Sequence, residues 1–157
     1  MTHEDYMRLA LEQARLALET GDVPVGCVIA GRDGSVLGRG HNRREAVHSA
    51  LAHAEVEAIR QACAAVGSWR LHGCTLYVTL EPCPMCAGAI INARIPQVWY
   101  GAKDEKAGAC GSVLNLFEEN FNHHPRLYRG PLEGECRDML QDFFQNLRES
   151  GENSKKV

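Results

Sequence analysis

Apolar positions along this chain follow two rhythms, one helical and one extended. Met7, Ala10, Leu11, Ala14, Ala17 and Leu18 recur at the three-and-four spacing of a single helix face. Thr2 with Asp5 three residues on forms a variant capping box for that helix, and Gly21 ends it. The rhythm then shortens: "VGCVIA", "GRDG" and "SVLGRG" predict a strand, a turn and a strand, a hairpin closed around Asp33-Gly34. From His53 to Val66 the chain is rich in Ala, Glu and Arg with helical period, and Gly67 stops it. "CTLYVTL", residues 74 to 80, is β-branched and aromatic and predicts a buried strand. Pro84 suits the first turn of a helix running to about Arg94, and Pro96 blocks its continuation. "QVWYGA" and "RLYR" predict further strands, and Glu135 to Arg148 a closing amphipathic helix.

Helix, hairpin, helix, strand, helix, strand, helix is a mixed α/β order with helices available for both faces of one sheet. Short spacings make the last strands parallel neighbours joined by crossover helices. The predicted fold is a three-layer α/β/α sandwich with a mixed central sheet. There are no repeats and no linker long enough to divide the chain, so residues 1–150 are expected to form one domain, followed by a polar tail at 151–157.

Composition adds exclusions. Apolar content of 45% and charged content of 24% in 157 residues are those of an ordinary globular domain. The N-terminal stretch lacks the apolar core of a signal peptide, and no run approaches the ~18 apolar residues of a membrane span. A cytoplasmic protein without membrane contact is expected. Seven cysteines, an odd number, point to reduced thiols and metal chemistry more than to a disulfide framework. Cys27, Cys63 and Cys74 sit in apolar or small-residue runs and are expected in the core. The net charge of −3 argues against a broad electrostatic grip on nucleic acid, although "GRGHNRREAVH" is locally basic. By charge alone that segment reads as a solvated loop.

"EPCPMC" carries the chemistry. Cys83 and Cys86 at a helix start lie one turn apart, where free N–H groups and the helix dipole favour thiolates. A redox pair would explain these two residues and leave the rest of the chain unexplained. A structural zinc site would need a second ligand pair, and none is present. What the chain offers instead is "AHAEVEAIR", with His53 and Glu55 at the start of the earlier helix. Two helices entering one sheet edge would bring His53, Cys83 and Cys86 together. Three protein ligands leave the fourth tetrahedral position open, the layout of catalytic zinc. His-x-Glu followed by Pro-Cys-x-x-Cys is the known signature of zinc-dependent nucleobase deaminases, with Glu55 at the place of the proton-shuttling carboxylate.

The resemblance extends well beyond that signature. "DVPVGCVI", "GHNRR", "AHAEVEAIR", "TLYVTLEPCPMCAGAI", "YGAKDEKAGACGS" and "FNHH" follow in the order and spacing of bacterial tRNA-specific adenosine deaminases, from about Val23 to Phe144. That resemblance implies the cytidine-deaminase-like fold, a homodimer, and conversion of adenosine to inosine at the wobble position of a tRNA anticodon stem-loop. It implies His53, Cys83 and Cys86 as zinc ligands and Glu55 as catalytic acid–base. Asn42 matches the asparagine that hydrogen-bonds the flipped base, though in "GHNR" it is also a good turn residue. Arg43, Arg44, Asp104, Lys106 and His123 fall where that family meets RNA. The alternative is a guanine or other small-base deaminase, which "HAEVEAIR" and "EPCPMC" would suit equally well. One departure is the C-terminal tail, whose basic residues are only Lys155 and Lys156.

Overall fold

The computed structural model describes residues 1–151, so the tail with Lys155 and Lys156 lies outside the described residues. Helix α1 spans His3–Leu18, and its capping box is complete: Thr2 Oγ1 accepts from the Asp5 amide, and the Thr2 amide donates to the Asp5 carboxylate. The predicted hairpin forms β1 (Gly26–Ala30) and β2 (Val36–His41). After it come a single-turn helix α2 (Arg44–Val47), α3 (Ala54–Val66), β3 (Thr75–Leu80), α4 (Pro84–Asn92) and β4 (Gln97–Ala102). A 3-10 turn at Leu116–Glu118, then β5 (Arg126–Arg129) and α5 (Glu133–Ser150), complete the described chain.

The five strands form one mixed sheet in the order β2-β1-β3-β4-β5. Strand β1 runs antiparallel to both β2 and β3, whereas β3, β4 and β5 are parallel. Tyr6 stacks on Tyr77, which places α1 on that face of the sheet, and Cys136 of α5 abuts Gly101 on the same face. Helices α3 and α4 pack together over the other face. The predicted three-layer α/β/α sandwich is therefore the observed fold. One close approach fixes α3: a Cβ at Gly40 would lie 2.3 Å from the Ala54 carbonyl, so only glycine lets β2 meet the start of α3.

The boundaries differ from the sequence expectation in three places. His53 is the N-cap of α3 and not its first helical residue. Helix α5 begins two residues earlier than the pattern suggests and runs two residues further. The basic run, read by charge as a solvated loop, continues the predicted strand to His41 and gives Arg44 to α2. The cause lies upstream: buried Asp22 accepts from the amides of Glu45 (2.7 Å) and Ala46 (3.3 Å), capping α2 from the α1–β1 connection.

All seven cysteines are free thiols. Cys27 and Cys74 are buried as expected, but Cys63 is only partly covered. Among the described residues no helix is long and apolar enough to cross a membrane.

Candidate active site

Parallel strands deliver their C-terminal ends to one edge of the sheet, and the next segments start there. Cys83 is the N-cap of α4, Pro84 opens the helix, and Cys86 follows in its first turn. His53 caps α3 beside them. The His53 Nδ1 atom lies 3.7 Å from Cys83 Sγ and 3.5 Å from Cys86 Sγ. Tetrahedral zinc with bonds of ~2.3 Å to sulfur and ~2.05 Å to nitrogen places such atoms about 3.6 Å apart. The three donors thus stand at zinc spacing, and the His/Cys/Cys set has the borderline-soft character that zinc prefers.

The electrostatics of the group suit metal binding. The Cys86 thiol shares its proton with Cys83 Sγ and, with the His53 ring, holds Cys83 far below the usual thiol range, at about 4. Cys86, which keeps that proton, is pushed up. The bond to Cys83 also raises His53. A cation would take the place of the shared proton.

Glu55 stands outside this donor cluster, although it is close to it and only 4% exposed. Burial pushes its carboxyl up to about 7, against the help of its own amide and the Cys86 thiol. A carboxyl balanced near neutrality can both take and return a proton. Asn42, also buried, accepts at Oδ1 from the Ala54 amide at 3.0 Å. It therefore caps the start of α3 while lining the cleft, which leaves its Nδ2 group as a donor.

The cleft over these residues encloses about 1010 Å³, above the ~300–1,000 Å³ of small-ligand sites. One wall is Lys103–Ala107, and another is the face of α5 bearing Arg137, Gln141, Phe144 and Arg148. Arg44, Asp104 and Lys106, expected from the sequence, all line it. Arg43 does not: it faces a second cleft of about 560 Å³ at the β2 edge, with Arg39, His41 and Arg60, and pairs with Glu57 at 3.9 Å. His123 is also elsewhere. It contacts the Ile95 carbonyl at 2.7 Å, next to the N-terminal ends of β4 and β5 and across the sheet from the donor cluster.

Sequence reasoning missed Glu81, which stands just before the first ligand cysteine and lines the cleft although it is 2% exposed. Its carboxylate accepts from the amides of Asp104, Cys110 and Ser112 and from the Ser112 hydroxyl. The only local signal was an acidic residue at the end of a buried strand.

The MafB19-like deaminase family profile matches residues 1–148. A tRNA-specific adenosine deaminase of Bacillus subtilis (strain 168) is 47% identical over 158 residues, covering 99% of this chain and 98% of that one. The chain belongs to the tRNA-specific adenosine deaminase family. A solved structure from a study of A-to-I editing by tRNA:A34 deaminases at the wobble position of transfer RNA superposes with a TM-score of 0.83. It is 46% identical and covers 87% of this chain and 99% of that one. A guanine deaminase structure from Bacillus subtilis is more distant, at 33% identity and a TM-score of 0.64, covering 95% of each chain. Membership of the tRNA-specific adenosine deaminases accounts for the zinc-spaced donors, the neighbouring buried glutamate and the cytidine-deaminase-like fold.

Proposed function

We propose that this deaminase converts adenosine to inosine at the wobble position of a tRNA anticodon loop, with His53, Cys83 and Cys86 holding zinc and Glu55 moving the protons. Carrying this is one observation: three donors at zinc spacing share a cleft with a buried carboxyl balanced at about 7. Bound zinc supplies the Lewis acidity that makes water nucleophilic at neutral pH. Glu55 accepts a proton from the attacking water and delivers it to N1 of the purine, which makes C6 electrophilic. Water adds at C6, Glu55 passes the second proton to the exocyclic amine, and the C6–N bond breaks to release ammonia and leave inosine. Asn42 orients the base through Nδ2. A base must leave its stack to reach this cleft, which is least costly in a single-stranded loop.

Arg44, Asp104 and Lys106 meet the flanking nucleotides, a reading supported by their lining the same cleft. Arg43, in the neighbouring basic cleft, serves RNA further from the base. His123 lies at the far end of the sheet, so it would meet this RNA only from a second copy of the chain. A homodimer is favoured by the outer face of α4, where Met85, Gly88 and Ala89 form a low-charge stripe. The exposed Val113 and Leu114 precede the 3-10 turn that packs on the same helix. A soluble cytoplasmic enzyme fits this substrate.

The decisive experiment compares ammonia release from an anticodon stem-loop with that from free adenosine, guanine and cytosine. Turnover confined to the stem-loop is expected. Efficient deamination of free guanine with none of the stem-loop would replace this function by small-base deamination.

A further inference from the structure

The wall at Lys103–Ala107 is an irregular connection, yet nucleotides can be read against it only if its backbone stays in place. The Glu81 side chain anchors it from outside. Glu81 Oε1 accepts from the Asp104 amide at 3.1 Å and from the Ser112 hydroxyl at 2.5 Å. Oε2 accepts from the amides of Cys110 and Ser112, both at 3.0 Å. Four donors from a segment 23 to 31 residues downstream thus converge on one buried carboxylate. The segment is built around that carboxylate: a Cβ at Gly108 would lie 2.3 Å from it.

Glu81 also belongs to the ligand turn. Its amide donates to Ala102 O at 2.8 Å, the next residue's carbonyl, Pro82 O, accepts from Ala109 at 2.8 Å, and Cys83 follows. Asp104 continues the chain of contacts, its Oδ1 accepting from the amides of Lys106 and Ala107, each at 3.1 Å. A buried carboxylate satisfied by several donors is costly to disturb, because each donor left without a partner stays desolvated.

We propose that Glu81 is a positioning residue, tying the metal-ligand turn to the 104–112 segment and so fixing the wall where nucleotides beside the target base are recognised. The assignment of that wall to RNA rests on the tRNA substrate proposed above; the anchoring itself does not. Both Glu81 oxygens are taken up by donors of the 104–112 segment, so its loss should weaken capture of the RNA more than the chemical step.

Glu81→Gln tests this, since its amide group would face two of the four donors with another donor. KM for an anticodon stem-loop should rise about tenfold, kcat should stay within about threefold, and zinc should be retained. In an Asp104→Ala background the same substitution should raise KM less than about twofold, because both act through one wall. Ser112→Ala, which removes only the hydroxyl donor, should shift KM in the same direction by about twofold to threefold.

Trypsin gives a readout that needs no substrate. Cleavage after Lys103 or Lys106 should be about tenfold faster in Glu81→Gln, with other sites unchanged. Fast cleavage at those lysines in a wild type that ignores the stem-loop yet deaminates free bases would overturn both the proposal and the tRNA reading. Loss of zinc, a fall in kcat without a change in KM, fully multiplicative effects with Asp104→Ala, or uniformly faster proteolysis would each overturn the proposal alone.

Discussion

Two buried carboxylates share this cleft and have been given opposite tasks. Glu55, on its floor, is 4% exposed, and Glu81, beneath its wall, is 2% exposed. Four donors converge on the Glu81 carboxyl group and fix its position. Glu55 has a thiol and its own amide, burial outweighs them, and its carboxyl is brought to about 7. With burial nearly equal, we assign the anchoring role to Glu81, where donors converge, and propose the proton-carrying role for Glu55, where they do not. The floor is the proposed place of reaction, and it is built from two helix starts, with His53 and Cys83 as N-caps and Glu55 and Cys86 in the first turns. The wall, proposed to decide what is presented to the floor, is a connection pinned from outside by Glu81.

This contrast predicts that floor substitutions act on metal and turnover for every substrate, whereas wall substitutions act on capture of RNA. The largest effect is expected from Cys83→Ala, which should leave the purified protein with well under one zinc per chain and no detectable deamination, because metal binding also contributes folding energy. Metal analysis together with a thermal melt checks this. A fully zinc-loaded Cys83→Ala protein would remove Cys83 from the floor.

Next in size is Glu55→Ala. Its kcat should fall by ~10²–10⁴ while zinc content and melting temperature stay near wild type. If zinc is lost instead, Glu55 supports the metal and the contrast with Glu81 is drawn in the wrong place. Gly40→Ala follows, since its Cβ would collide with the Ala54 carbonyl where α3 presents His53. A stability loss of about 1–3 kcal/mol in urea unfolding is expected, as for other overpacked sites, with weaker zinc retention. An unchanged midpoint would show that α3 can shift without cost.

Smallest is the division between the two arginines. Arg44→Ala should raise KM for the stem-loop about threefold to tenfold and reduce the salt dependence of binding. Arg43→Ala, on the other side of the lip, should do less than half as much for a short loop oligonucleotide. Equal effects from both on that short substrate would mean that the two clefts act as one surface.

Most of the fold was legible because it is written in local pattern. The capping box at Thr2 and Asp5, the Gly67 stop, Pro84 at the helix start and the β-branched run before Cys83 each act within a few residues. The donor set was legible through the known His-x-Glu and Pro-Cys-x-x-Cys signature and the family resemblance, which pick out His53, Cys83 and Cys86 at the starts of two helices. Tertiary structure alone decided how the cleft is shaped around them. Asp22 caps α2 from 23 residues upstream, Glu81 gathers donors from up to 31 residues downstream, and the two adjacent arginines part to different clefts. A helix or strand imposes a period on its sequence, but a side chain accepting from distant backbone amides imposes none. Such anchors leave a single acidic residue in the chain, and only folding shows what it holds.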